Sequence, residues 1–218
     1  MPIIVPGQAP EIFVGLLQEL LARLKDVDYG SMAATLGAEI IPGGLLIPSF
    51  GRLYRVSETG IRDAQGQPAS PKHAVVLSYY VLERGTAALS GKWVAFRDFK
   101  ESAFFMPAFQ THVEQRIARE FQGKLEALRS CSTSLGGKNY PALGAGDLCH
   151  LIPALPRVPL LLVFHEGDEE FPAGATVLYD LHSTFYLNVE CLGVLGAVLA
   201  DHLLEEKNSG NLNLLHPA

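Results

Sequence analysis

Long apolar runs are missing from this chain of 218 residues. The stretch GVLGAVLA at 193–200 is among the longest, far short of the roughly 20 residues a membrane-spanning helix needs. Basic runs are missing too. No stretch of Lys or Arg exceeds two residues and the formal net charge is −6, so a broad nucleic-acid surface is not expected. The opening MPIIVPGQAP has no basic segment ahead of an apolar core, so it does not read as a cleavable leader. Cysteine is scarce. Cys131, Cys149 and Cys191 are odd in number and widely spaced, which is a poor disulfide framework. These absences together predict a cytoplasmic protein with neither a membrane nor a nucleic-acid partner.

Several signatures of chemistry are absent as well. There is no CxxC pair for zinc and no GxGxxG. The glycine-rich LGGKNYPALGAGD at 135–147 lacks the Gly-Lys-Ser/Thr ending of a phosphate loop. It reads as a turn, or as a loop able to wrap a ligand.

What remains is an ordinary globular balance, 48% hydrophobic and 18% charged. It predicts a single domain over 1–218, with a flexible N-terminus (1–9) and C-terminal tail (207–218). Apolar residues at helical spacing predict helices over 10–25, 72–84 and 107–129, and a closing helix over 188–206 capped by Asn188. DYGSMAATLGA adds a short helix. Pro and Gly punctuation over 39–57 predicts two short strands. ETGIRDAQGQPASP reads as a polar, mobile loop. GKWVAFRDF at 91–99 reads as a strand and its exit. Residues 131–156 read as a long Gly/Ser/Pro-rich loop, which in a compact domain is usually functional. RVPLLLVF at 157–164 is apolar on both faces and reads as a central strand, with a second strand at 175–181. The order lacks a βαβ repeat. It predicts an α+β fold, a mixed or mostly antiparallel sheet packed against several helices.

The strand at 157–164 runs straight into HEGDEEF. His165, Asp168 and Glu170, with Glu166 and Glu169, offer an imidazole and hard oxygen ligands for a divalent metal. Crowded carboxylates also suit acid/base work, since one pKa rises. A solvated turn around Gly167 has the same composition. Cys149 and His150 are adjacent, with Asp147 nearby, and fit a site or a pair of buried side chains. His112, near Met106, Phe109 and Val113, has the setting of an axial tetrapyrrole ligand or of a core-edge histidine. The aromatic run from Trp93 to Phe109 suits a flat cofactor pocket or a core. His73, His182, His202 and His216 read as scattered.

The runs FGRLYRV (50–56), GKWVAFRDF (91–99), LGG (135–137), GD (146–147), PRVPLLLVF (156–164), GDEEFPAGATVLYD (167–180) and YLNVE (186–190) resemble the bacterial and archaeal family called domain of unknown function 3786. The resemblance spans roughly residues 10–205, and its most specific part is the GDEEFP block. It implies that Arg52, Tyr54, Gly136, Gly137, Asp147, Arg157, Gly167, Asp168, Glu170, Phe171, Asp180 and Glu190 matter, with Arg157 and Asp180 a candidate pair across neighbouring strands. It also implies an anaerobic setting and a separate iron–sulfur or corrinoid protein as partner. The functional expectation is a binding or accessory protein for a cofactor-sized ligand, a tetrapyrrole or corrinoid, with His112, Gly137, Asp147, His150 and Arg157 as its binding residues. The alternatives are a metal-assisted or acid/base enzyme using the 165–170 cluster, with a divalent metal on His165, Asp168 and Glu170, and a pure interaction module.

Overall fold

The computed structural model describes residues 3–215. Helices α1 (Pro10–Leu24) and α2 (Tyr29–Leu36) lead into an antiparallel meander of β1 (Glu39–Ile41), β2 (Gly44–Ser49), β3 (Arg52–Ser57) and β4 (Gly60–Asp63). Helix α3 (Pro71–Glu83) follows, then β5 (Trp93–Ala95). A helical stretch comprises α4 (Met106–Phe109), a π-type turn (Gln110–Glu114) and α5 (Gln115–Phe121), and α6 is Leu125–Ser134. Strands β6 (Lys138–Asn139), β7 (Leu148–Leu155), β8 (Val158–His165) and β9 (Gly174–Asp180) complete a second antiparallel sheet of order β5-β9-β8-β7-β6, and α7 (Val189–Leu215) closes the fold. The fold is α+β with two antiparallel sheets, and β8 is the central strand of the larger one.

Four readings of the sequence change. The helix read over 107–129 is two, because Gly123 adopts φ +69° and Lys124 leaves helical geometry before α6. The polar loop after β3 contains β4, bridged at Arg62 and Pro68, and Asp63 ties its turn by accepting the N–H groups of Gln65 and Gln67. The long loop at 131–156 dissolves into the end of α6, β6, a short 3-10 turn and β7. The chain after Glu206 stays helical to Leu215, and at the other end Ile4 is fully buried, its N–H donated to Glu190. His216 lies outside the described residues.

Helix α7 is the hub. Every residue from Cys191 to Ala200 is buried, so no polar face exists along this stretch. Small residues make that possible. A Cβ on Gly196 would lie 2.7 Å from the ring of Phe109 and 2.8 Å from the Tyr179 hydroxyl. Phe96 stacks on Phe109 at 4.2 Å beside Phe99 and Tyr179, so most of the aromatic run is core, while Phe104 faces solvent. All three cysteines are buried and free. Among the described residues no helix is long and apolar enough to cross a membrane.

Candidate functional site

The two sheets meet at one tight turn. Strand β2 ends at Ser49, and the chain reverses through Phe50 and Gly51 with φ +49° and +72°. A positive φ is strained for phenylalanine and costs about 1 kcal/mol or more unless the surroundings hold it. They do. The Phe50 N–H donates to Pro153 O at 3.0 Å, and its fully buried ring lies 5.1 Å from the His202 ring and 5.7 Å from His73. Gly51 lies against the backbone of Leu135 and Gly136, where an added Cβ would sit 3.1 Å from Leu135 C. The receiving carbonyls are free because β7 carries an irregularity between Ile152 and Leu155, which releases Pro153 and Ala154 from regular pairing.

This turn delivers Ser49 to a buried polar line. Its Oγ lies 2.6 Å from Ala154 O and 2.9 Å from His73 Nε2. His73 Nδ1 lies 3.3 Å from His202 Nε2, and His202 Nδ1 lies 3.0 Å from Glu205 Oε2. Ser49 is 0% exposed and His202 7%, whereas the Glu205 side chain is 59% exposed. A single file of hydrogen bonds therefore runs from solvent to the centre of the protein.

The proton positions follow from valence. A hydroxyl has one proton, and a carbonyl 2.6 Å away can only accept it. Ser49 thus donates to Ala154 and accepts from His73 Nε2–H. His73 Nδ1 is then a lone pair, which requires a proton on His202 Nε2. Both ring nitrogens of His202 then face acceptors, His73 Nδ1 on one side and a Glu205 carboxylate oxygen on the other. Burial, then the charges of His202 and Arg52, push the His73 ring well below its ordinary value, which keeps it neutral. The hydrogen bond from His202 holds the Glu205 carboxyl below its usual range. In this state Ser49 is not activated as a nucleophile, since the imidazole donates to it. Removing one proton from the line reverses its two inner bonds, so that His73 Nδ1–H donates to His202 and the Ser49 O–H turns from Ala154 to His73, while His202 Nδ1–H still donates to Glu205.

Around the outer end stand Arg52, Tyr54 and Glu206. Arg52 Nη2 meets Glu206 Oε1 at 2.6 Å, with the Arg52 side chain 46% exposed. Tyr54 is buried, bonds to Arg52 and sets its ring 4.6 Å from that of His73. Burial raises its hydroxyl pKa, so it remains a donor.

The residues singled out in the sequence fall elsewhere. His112 is exposed, and its ring lies against Gly7, where a Cβ would approach to 2.3 Å. His150 is buried and its Nδ1 meets Ser132 Oγ at 2.8 Å; burial pushes its pKa down. Gly137 lets the chain cross Ser132, whose carbonyl would lie 2.4 Å from a Cβ there. Asp147 accepts the Glu166 N–H at 2.7 Å, tying β7 to the end of β8. Arg157 and Asp180 do not pair with each other. Arg157 donates from Nε to Thr35 O and from Nη2 to Ala34 O, capping α2, while Asp180 accepts the N–H groups of Ser90, Gly91 and His182. Burial opposes the charge on Asp180, but those bonds outweigh it and lower its pKa.

His165 is exposed at the end of β8. Asp168 accepts the N–H groups of Glu170 and Phe171 within its own turn, which lowers its pKa. Glu166 accepts the Gly123 N–H, and Glu170 faces solvent. Among the described residues no three His, Cys, Asp or Glu side chains converge as a metal group would need. The structure therefore does not bring His165, Asp168 and Glu170 together as a ligand set.

The family model for Domain of unknown function (DUF3786) matches residues 28–202. The chain belongs to this family. No curated protein and no solved structure matches it. The matched segment contains Ser49, Arg52, Tyr54, His73 and His202, so most of the polar line lies within the family domain. Sequence reasoning missed Ser49, and it read His73 and His202 as scattered. The signal that was present is the FGR turn, whose Phe-Gly pair marks a chain reversal directly after Ser49.

Proposed function

We propose that the protein is a binding or accessory domain whose working centre is the line from Glu205 through His202 and His73 to Ser49, and that it binds a small polar ligand with uptake or release of one proton. The observation that supports this is the direct contact of two buried histidines at 3.3 Å, connected to solvent through one carboxylate. Histidine is the side chain whose ordinary pKa lies in the physiological range, so a line of two histidines reaching solvent through a carboxylate is suited to taking up or releasing a proton. Arg52, Tyr54 and Glu206 at its mouth supply donors and acceptors for the ligand, with Glu206 as the group a ligand would replace on Arg52. An acid/base centre of the kind weighed from the sequence thus has support, but at this line and not in the 165–170 turn.

The geometry gives no comparable support to a tetrapyrrole or corrinoid. Cavities lined by Ser31, Met32 and Arg84, or by Pro10, Phe13 and Lys72, hold about 130 and 170 Å³. Pockets for drug-sized ligands run to about 300–1,000 Å³.

The test is long-range 1H–15N NMR of the imidazoles across pH, alone and with phosphate or acetate as probes. The expected result is linked titration of His73 and His202, with His73 in its Nε2–H form at neutral pH and ligand-dependent shifts in both rings. Independent titration, or no ring shift with either probe at about 10 mM, would overturn the proposal.

A further inference from the structure

A hollow of about 170 Å³ lies where the N-terminal arm and α1 meet the start of α3 and the middle of α7. Its apolar walls are Pro10, Phe13 and Pro71, and its polar groups include Ser70, Lys72 and Asp201. The wall formed by the arm is fixed. Ile4 is buried with its N–H on Glu190, and the Gln8 side chain accepts the Val5 N–H at 3.0 Å and donates to Ile3 O at 3.1 Å. The hollow is therefore formed before any ligand arrives, as binding cavities usually are. Pro10 and Phe13 precede the family-matched segment, so the hollow joins the family domain to residues outside it.

The charges beside it do not balance. Asp201 takes Lys72 Nζ on Oδ2 at 2.6 Å and Arg116 Nη1 on Oδ1 at 2.5 Å, so one carboxylate faces two cations. Lys72 also sits in the first turn of α3, where a cation is unfavourably placed because a helix start carries roughly half a positive charge. That turn holds no acidic side chain to offset it. The surplus is positive and borders the apolar walls. Lys72 has three donors and bonds one acceptor among the described residues, Asp201. The Ser70 hydroxyl accepts the His73 N–H as the cap of α3, which leaves its own proton to donate. Both oxygens of Asp201 are spent on cations, and its part is to hold the Lys72 ammonium in place.

A ligand with an apolar body and one anionic head fits both halves. An engineered apolar cavity of about 150 Å³ takes up benzene, so walls of Pro10, Phe13 and Pro71 around a hollow of similar volume suit a body of that size. We propose that this hollow binds a small monocarboxylate with a ring-sized apolar body, its carboxylate received by the Lys72 ammonium and the Ser70 hydroxyl and its body packed on Phe13. A single negative charge matches the surplus, whereas a dianion overshoots it beside Asp201. The site does not rest on the histidine line. Lys72 and Asp201 precede His73 and His202 in the sequence but take part in none of that line's hydrogen bonds.

The probe is benzoate titrated into the 15N-labelled full chain. Saturable amide shifts centred on Phe13, Ser70 and Lys72 are expected. Affinity should fall at least about tenfold for benzamide, which keeps the ring and loses the charge, and for acetate, which keeps the charge and loses the ring. It should fall similarly for Lys72→Met, which keeps an apolar stem. The ligand series leaves the protein untouched, so a variant that folds poorly does not blunt the test. Absence of saturable shifts at about 10 mM benzoate overturns the proposal. Equal binding of benzamide, or unchanged binding by a folded Lys72→Met chain, overturns the carboxylate recognition. Equal binding of acetate overturns the apolar body. Shifts centred on Arg52 and Tyr54 place the carboxylate at the histidine line and overturn this site.

Discussion

Replacing Ser49 by alanine tests the buried line at its inner end. The substitution removes one oxygen and leaves two groups without partners, the Ala154 carbonyl and the His73 Nε2–H. Both lie where Ser49 is 0% exposed and His73 1%, so water does not replace the hydroxyl without rearrangement. A buried unsatisfied polar group costs about 1–3 kcal/mol. Two of them give roughly 2–6 kcal/mol, and relief from burying the hydroxyl itself lowers the expected loss to about 2–4 kcal/mol. That is a large part of the roughly 5–15 kcal/mol that holds a domain folded. The assay is urea unfolding at pH 7.5 with the slope checked for constancy. A double-mutant cycle with His73→Leu should give a coupling of more than about 1 kcal/mol, because the two side chains share one bond. A Ser49→Ala loss below about 1 kcal/mol, or additive effects in the cycle, would refute the assignment of a directed bond between His73 and Ser49.

The remaining expectations concern charge and packing. His73 has a depressed folded pKa, so its contribution to stability is full above about 6.5, the ordinary value, and declines as pH falls below it; thermal unfolding from pH 8 to 5 should show this, and His73→Leu should flatten it. Glu190 behaves in the opposite sense. Burial pushes it up to about 7, so its contribution is present below the ordinary carboxylate range and is lost as pH rises through 7; Glu190→Gln should gain on the parent chain between pH 6 and 8 in the same scans. Gly196→Ala should cost about 1–3 kcal/mol by overpacking against Phe109 and Tyr179, read by urea unfolding. Arg157→Ala should cost about 1 kcal/mol through the uncapped carbonyls of Ala34 and Thr35, with faster amide hydrogen exchange confined to α2.

The architecture was legible where pattern and physics agree. The apolar run in β8 marked a central strand, and Asn188 was read as the cap of α7, whose Cys191 N–H it accepts at 2.9 Å. Small residues let α7 pack closely, and Gly196 is one of them. The pattern misled where one glycine decides. Apolar residues spaced by four continue from Phe109 to Leu125 as though one helix ran through, yet Gly123 ends it. Segments rich in Gly, Ser and Pro concealed β4, β6 and β7, because turn residues also border very short strands.

The histidine line was hidden for a different reason. Its members come from β2, α3 and α7, far apart in the chain, and each looks ordinary beside its sequence neighbours. What joins them is the entry of the Phe50 turn into the irregular part of β7. The residues implied by the family resemblance divide along the same seam. Gly137, Asp147, Arg157, Asp168 and Asp180 close off helix ends, turns and strand ends. Arg52 and Tyr54 instead stand at the mouth of the line. A carboxylate or guanidinium spent on capping backbone groups is no longer available to a ligand, since its lone pairs or donors are engaged. Unspent donors and acceptors therefore locate a site better than composition does. In this chain the half-exposed Arg52, bonded to Glu206 and Tyr54, keeps further guanidinium donors at the outer end of the histidine line.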